Sequence, residues 1–159
     1  MIFWILPMLL TVFMVSVQGL VRNQADAVLP PATQVSAAAM GQDFVAYRNA
    51  VGAYASANPA FTGSVPASSL VLPGGMPLPQ GVGNQVTATA SGQGRIVTSW
   101  AALPSSALFQ TVKGMNGDAT LGLTNGTQWS SPVYGPMGNL PSGVQVPNGD
   151  AVSIVQIGN

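Results

Sequence analysis

Residues 36–57 read SAAAMGQDFVAYRNAVGAYASA and contain the clearest periodicity in the chain. Apolar side chains recur there at spacings of three and four residues: Ala37, Met40, Phe44, Tyr47, Val51 and Tyr54. Such spacing gathers them into one stripe along a helix and leaves Gln42 and Asp43 on other faces. Ser36 suits the N-cap, and Asn58-Pro59 ends the helix because proline disfavours helical backbone at the preceding residue. The stretch therefore predicts an amphipathic helix from Ser36 to Ala57.

Strand signals follow this helix, and they predict the sheet on which its stripe packs. The predicted elements are a strand candidate at Ser69–Leu72, a strand at Arg95–Ala101, a short helix at Ser106–Val112 capped by Ser105, and a strand at Ala151–Ile157. In the last strand, Val152 and Ile154 should lie on the face opposite to Ser153. Residues 59–94 otherwise read as Pro- and Gly-rich loop, as do residues 132–149.

A hairpin is predicted where Asn125-Gly126 separates the segments Ala119–Thr124 and Thr127–Ser131. A two-residue turn at this dipeptide would pair Thr124 with Thr127 and Gly122 with Trp129, so that the indole covers the glycine. The predicted fold is therefore α+β, with an amphipathic helix packed on a small antiparallel sheet. A coiled-coil seam is the alternative for the helical stripe, disfavoured by its Ala and Tyr positions.

The N-terminal segment Met1–Val21 carries no charged side chain and is strongly apolar. About 20 helical residues, at about 1.5 Å each, span the roughly 30 Å hydrocarbon layer of a membrane. This predicts a transmembrane helix at 1–21, a juxtamembrane connection at 22–35 and a periplasmic domain at 36–159. A signal peptide cleaved after Gly19 or Ala27 is the alternative, and it also exports the remainder of the chain.

Charged residues make up only 5% of the chain, four basic and four acidic, and the net charge is zero. Nucleic-acid binding is therefore not expected, since it needs clustered positive charge. His, Cys and Glu are absent, which removes the usual general bases, thiols and many metal ligands. We expect no enzymatic activity, no cofactor, no metal and no small-molecule substrate. Asn116-Gly117-Asp118 is interpreted as a turn, and the Asp residues as solvated.

The residues Phe44–Val51, Tyr54, Asn58-Pro59, Gly63 and Leu70–Pro73 resemble the PilM family of thin-pilus (type IVb) biogenesis proteins. These proteins are distinct from a cytoplasmic actin-like protein of the same name. The resemblance implies an inner-membrane component of the pilus basal body or pilin transport apparatus, encoded with conjugative pilus systems. It implies other pilus assembly proteins as partners and membrane attachment through the N-terminal helix. It supplies no catalytic residues.

Three residues of the predicted helix are candidates for a protein interface: Tyr47, Arg48 and Tyr54. The two tyrosines are expected to divide between core and interface, and for Arg48 a solvated position is the favoured alternative. Two other functions remain open, a minor pilin and a secreted binding module released by signal cleavage. The minor pilin is disfavoured because Gly19 follows the apolar run, whereas the processing site of a prepilin precedes it.

Overall fold

A computed structural model of the chain describes residues 32–158. The predicted membrane segment 1–21 lies outside the described residues, as does most of the connection predicted at 22–35. Within 32–158, neither helix combines the length and the hydrophobicity that crossing a membrane would require. Residues 36–159 belong to one compact unit, and its described part contains the sheet and the hydrophobic core.

The described residues 32–158 form two α-helices and one six-stranded antiparallel sheet. The helices are α1 (Ala32–Ala57) and α2 (Ser105–Gly114). The strands are β1 (Gly83–Ala88), β2 (Arg95–Ala101), β3 (Leu121–Asn125), β4 (Gln128–Ser131), β5 (Gly135–Asn139) and β6 (Ala151–Ile157). They lie in the order β1-β2-β6-β3-β4-β5, so the C-terminal strand occupies the middle of the sheet. The α+β class and the antiparallel sheet are thus confirmed.

The predicted stripe of α1 is buried with one correction. Ala37, Phe44, Tyr47 and Val51 lie in the core, but Met40 is 48% exposed and Gly41 is buried in its place. The helix also begins at Ala32, so Ser36 lies inside it and is not the N-cap. A period of 3.6 residues starting from Ala37 reaches position 41 as readily as position 40, and packing against α2 decides between them.

Gly41 lies where α1 crosses α2. A Cβ atom at position 41 would collide with the side chain of Thr111 and stand 3.2 Å from the carbonyl oxygen of Ala107. The Thr111 hydroxyl is turned back onto its own helix, where it donates to that same carbonyl at 2.7 Å. The two helices therefore approach more closely than any residue with a side chain at position 41 would permit.

Both faces of the sheet are covered. The face toward the helices contributes Val86, Val97, Ala101, Leu121 and Ala151 to the main core. On the opposite face, Trp100, Trp129, Val152 and Ile154 pack with Leu140, Val144 and Val146 from the long loop before β6. The predicted alternation in the last strand is confirmed, because Val152 and Ile154 belong to this second cluster while Ser153 faces α1.

The strands Arg95–Ala101 and Ala151–Ile157 are confirmed with the predicted bounds. The candidate at Ser69–Leu72 is wrong, since its backbone is extended at Leu70 and Leu72 but has no strand partner. Strands β1 and β5 were predicted as loop because glycines obscure their pattern. The short helix extends over Ser105–Gly114 with Pro104 at its N-cap, so Ser105 is its first residue and not its cap.

The predicted hairpin forms, but its turn lies one residue later in the chain, so the partner of each strand residue is shifted by two residues. Asn125 pairs with Gln128 and Thr124 with Trp129, which leaves Gly126 and Thr127 as the turn. The loop before β6 fixes this register, because Asn148 accepts a hydrogen bond from the Gly126 amide and Gly149 donates to the carbonyl of Thr124. A local turn preference is thus overridden by tertiary hydrogen bonds.

Tryptophan side chains cover glycines on the face of the sheet opposite to the helices. A Cβ on Gly122 would stand 2.6 Å from the Trp129 ring, so the predicted covering of this glycine is confirmed despite the shifted register. Trp100 lies in the same way over its cross-strand partner Gly83. Each glycine leaves room for an indole to lie against the backbone, which is how this narrow sheet accommodates two tryptophans.

Two glycines of α1 provide a matched test of the helix crossing. Alanine is favoured over glycine in a helix by about 1 kcal/mol, so Gly52→Ala, which meets no atom within 4 Å, should stabilise the domain. Gly41→Ala should instead destabilise it by about 1–3 kcal/mol, because the methyl group overlaps Thr111. Urea unfolding of the two variants measures the change in the free energy of unfolding. Equal changes in both variants would contradict the close approach of α1 and α2 at Gly41.

Candidate functional site

Arg48 belongs to α1, and its side chain joins the helix to the sheet. Its guanidinium forms an ion pair with Asp118, in which Nη2 donates to Oδ2 at 2.8 Å. The other terminal nitrogen donates to the hydroxyl oxygens of Thr120 at 3.0 Å and Ser153 at 3.2 Å. The side chains of Arg48 and Asp118 are only 12% and 18% exposed. The expectation of a solvated Arg48 is therefore wrong, and so is the expectation of a solvated Asp118.

The loop before β3 holds Asp118 in place for this contact. Asn116 and Gly117 both have positive φ, so the predicted turn is confirmed. The second carboxylate oxygen of Asp118 accepts hydrogen bonds from the amide and the hydroxyl of Thr120, at 2.9 and 2.7 Å. Both carboxylate oxygens of Asp118 therefore have hydrogen-bond partners. The net charge of Arg48 and Asp118 together is zero.

The pKa values of two carboxyl groups in the domain are shifted in opposite directions. Burial alone would raise the pKa of Asp118, but the hydrogen bonds from Thr120 and Arg48 and the charge of Arg48 together lower it below its usual 3.8. Burial raises the pKa of Asp150, which lies before β6. Asp118 therefore stabilises the fold in its ionised form, and this contribution is lost as pH falls. Asp150 favours the fold in its protonated form, and that contribution is lost as pH rises.

Tyr47 is 2% exposed and belongs to the core of the domain. Its hydroxyl accepts a hydrogen bond of 2.8 Å from the side-chain amide of Asn84, which also bonds both backbone groups of Val65. Burial raises the pKa of the Tyr47 hydroxyl, and the bond from Asn84 opposes this shift. This network attaches α1 to β1 and to the segment alongside it, so Tyr47 has a structural role in this chain.

Tyr54 lies at the edge of the core near the end of α1, where it is half-buried. Its ring meets Phe61 edge to face, with the centroids 5.2 Å apart. Next to it, Arg95 donates to the carbonyl of Asn58 at 2.9 Å, just beyond the last turn of the helix. A cation at a helix C-terminus is favourable. An interface role for Tyr54 stays a prediction, since part of its side chain is accessible.

A cavity of about 430 Å³, here called the polar cavity, opens between α1 and strands β2 and β6. Its floor carries the polar side chains Arg48, Ser99, Asp118, Thr120 and Ser153. Apolar side chains of the strands form one wall, and Asn49, Gly52 and Ser56 of α1 form the rim. The sequence alone does not indicate this site, because its members come from four separate segments. The signal it offers is a serine within each of two otherwise apolar strands, Ser99 and Ser153.

A second concavity of about 690 Å³, here called the apolar cleft, lies along another face of α1. Small and apolar side chains of α1 form its base: Ala38, Val45, Ala46, Ala50 and Ala53. Val71 and Pro73 lie on one side, and Gly114 and Met115 at the end of α2 close it. No described residue lining the cleft is charged. Val71 is 89% exposed.

The fold and these two surfaces define a small α+β domain whose described part offers concave sites for binding. The sequence profile of the PilM family matches residues 11–154. The chain therefore belongs to the PilM family, of the thin-pilus type.

A solved structure shares the fold. It is the crystal structure of a protein provisionally named PilM from Escherichia coli B7A, with a TM-score of 0.54 and 16% sequence identity. The match covers 80% of this chain and 97% of that one. No curated protein matches the sequence. The family resemblance read from the sequence is thus confirmed.

Replacing Asp118 by asparagine should destabilise the domain in a pH-dependent way. Near pH 7, Asp118→Asn leaves the buried Arg48 without a counter-charge, and we expect a loss of about 2 kcal/mol in the free energy of unfolding. Because the pKa of Asp118 is lowered by folding, the difference from wild type should be complete above about pH 4 and shrink as pH falls further.

Urea unfolding at several pH values measures this difference. Asp43→Asn is the matched control, since Asp43 lies on α1 with Arg48 but forms no ion pair in the described structure. A loss for Asp118→Asn that is no greater than the control, or that grows on acidification, would show that the ion pair does not stabilise the helix on the sheet.

Proposed function

We propose that this chain is a non-enzymatic, membrane-anchored component of type IVb pilus biogenesis, acting as a scaffold of the basal body or pilin transport apparatus. Membership of the PilM family carries the proposal. The matched region begins at residue 11, inside the apolar N-terminal segment, which supports treating that segment as part of the family pattern. The absence of His, Cys and Glu from the sequence supports a role without catalysis.

The apolar cleft is the proposed contact for a partner. Its occupant is an apolar, uncharged segment of another pilus assembly protein, because the described lining offers no charge to pair with one. The alanines along α1 let a partner backbone approach closely, and Val71 projects as an accessible apolar contact at the edge. Arg48 and Asp118, which join the helix to the sheet, are not among the described residues that line the cleft.

Complementation of a deletion strain tests the scaffold and its contact together. Deletion should abolish surface pili while prepilin amounts and processing stay normal, and the wild-type gene should restore the pili. Ala50→Glu, which places a charge in the cleft, should fail to restore them although the protein accumulates normally. Electron microscopy and immunoblots of surface pilin provide the measurements.

Ser91→Glu is the control, because Ser91 is exposed in the turn between β1 and β2, outside the cleft. This variant should restore pili as wild type does. A normally piliated deletion strain would refute the biogenesis role. Full complementation by Ala50→Glu would leave that role intact and exclude the cleft as the contact.

The proposed location is the bacterial inner membrane, with one pass at 1–21 and the domain in the periplasm. The apolar character of Met1–Val21 supports this, as its length matches a membrane span. A reporter that is active only after export, fused after Asn159, should be active and should sediment with membranes. Activity of a cytosol-dependent reporter alone would contradict the orientation, and a soluble mature protein beginning at Leu20 or Val28 would contradict the anchor.

A further inference from the structure

We propose that the polar cavity binds an uncharged amide group, whose carbonyl oxygen accepts hydrogen bonds from the hydroxyls of Ser99 and Ser153. The group is a carboxamide side chain or peptide unit of a partner protein, or a free molecule of the same chemistry. This inference does not depend on the pilus role, because it follows from the hydrogen-bonding groups of the cavity floor.

Ser99 provides the first observation. It is 1% exposed, lines the cavity, and its hydroxyl has no hydrogen-bond partner. A buried hydroxyl without a partner is unfavourable by about 1–3 kcal/mol, so native proteins seldom leave one unless a ligand or water satisfies it. Thr87 and Thr98 also have unpartnered hydroxyls, but neither lines this cavity.

Ser153 provides the second donor. It is 2% exposed and accepts a hydrogen bond from Arg48 through its oxygen, while its own hydroxyl hydrogen has no acceptor among the described contacts. Ser99 and Ser153 are direct partners across β2 and β6. Cross-strand partners place their Cβ atoms about 4.5–5.5 Å apart, and one oxygen can lie about 2.8 Å from two hydroxyls at such a separation.

The charges of the floor favour an uncharged ligand. Among the described residues that line the polar cavity, only Arg48 and Asp118 are charged, and they neutralise each other at 2.8 Å. Both oxygens of Asp118 already accept hydrogen bonds. An anion would have to compete with Asp118 for Arg48, and a cation would have to compete with Arg48 for Asp118. An amide ligand would leave the ion pair between Arg48 and Asp118 intact.

The walls and rim suit the rest of an amide ligand. Val97, Val155 and Ile157 line the sheet side with apolar surface for its carbon substituents. Asn49 and Ser56 lie on the rim, where their side chains can accept from its N–H group. The volume of about 430 Å³ is within the range of roughly 300–1,000 Å³ usual for small-ligand sites.

Titration of the ¹⁵N-labelled full-length protein with acetamide tests the proposal. The amide signals of Ser99, Ser153 and their neighbours should shift and saturate, with half-saturation at about 10 mM for so small a ligand. Acetate, which has the same shape and a negative charge, should require at least tenfold more. N-Methylacetamide reports whether a peptide unit also fits. Saturable binding of either amide supports the proposal. Acetamide represents a carboxamide group and N-methylacetamide a peptide unit, so the comparison shows which of the two the cavity accepts.

A pair of variants supplies the matched control. Ser99→Ala and Thr98→Val each remove one buried, unpartnered hydroxyl from adjacent positions of β2, on opposite faces of the sheet. Ser99→Ala should weaken acetamide binding about fivefold or more, whereas Thr98→Val should leave it unchanged.

Three results would overturn the proposal. The first is the absence of saturable shifts with both amides, which would leave ordered water as the partner of Ser99. The second is that acetate binds as tightly as acetamide, which would identify an anion site. The third is equal binding by wild type and a folded Ser99→Ala. Should Ser99→Ala fail to fold, the comparison of acetamide with acetate on the wild type still decides.

Discussion

The ion pair between Arg48 and Asp118 is the contact on which the arrangement of α1 over the sheet depends. A guanidinium placed beneath a helix is unfavourable unless charge and hydrogen bonds compensate it. Here one carboxylate and two hydroxyls do so, and they come from the loop before β3 and from β6. Because these partners come from two separate segments, both at least 70 residues from Arg48 in the chain, the pair fixes the helix in both position and rotation. The polar cavity and the apolar cleft lie on either side of the helix that it fixes.

The same constraint explains why serines lie in the middle of the sheet. Leu121, Ser153 and Ser99 are neighbours across β3, β6 and β2, and the two serines face the helix beside Arg48. Apolar side chains at these positions would seal the floor against α1 and leave Arg48 with fewer acceptors. The tightest packing is found elsewhere, at the crossing of Gly41 and Thr111 and beneath the two tryptophans. The domain thus combines close packing at the helix crossing and beneath the tryptophans with a polar centre.

The sequence was sufficient for the elements with strong periodicity. The stripe of α1, the two central strands and the covering of Gly122 by Trp129 follow from local spacing and side-chain type. Strands β1 and β5 were missed because Gly83, Gly135 and Gly138 carry no side chain that could show alternation. The hairpin register was wrong because Asn148 and Gly149, remote in sequence, hold the turn. Arg48 was misjudged for the same reason, since its partners lie at 118, 120 and 153.

The scarcity of charge has a consequence for recognition. Among the described charged residues, Arg48 and Asp118 neutralise each other inside the domain, and Arg95 bonds carbonyl oxygens at the end of α1. Little charge then remains on the surface to steer a partner, so association gains none of the rate enhancement that complementary charge supplies. Selectivity must come from shape and from hydrogen bonds to uncharged groups. A concave apolar cleft and a floor of serine hydroxyls are the kinds of feature that can provide it, and a partner held close by within one assembly does not need fast encounter from solution.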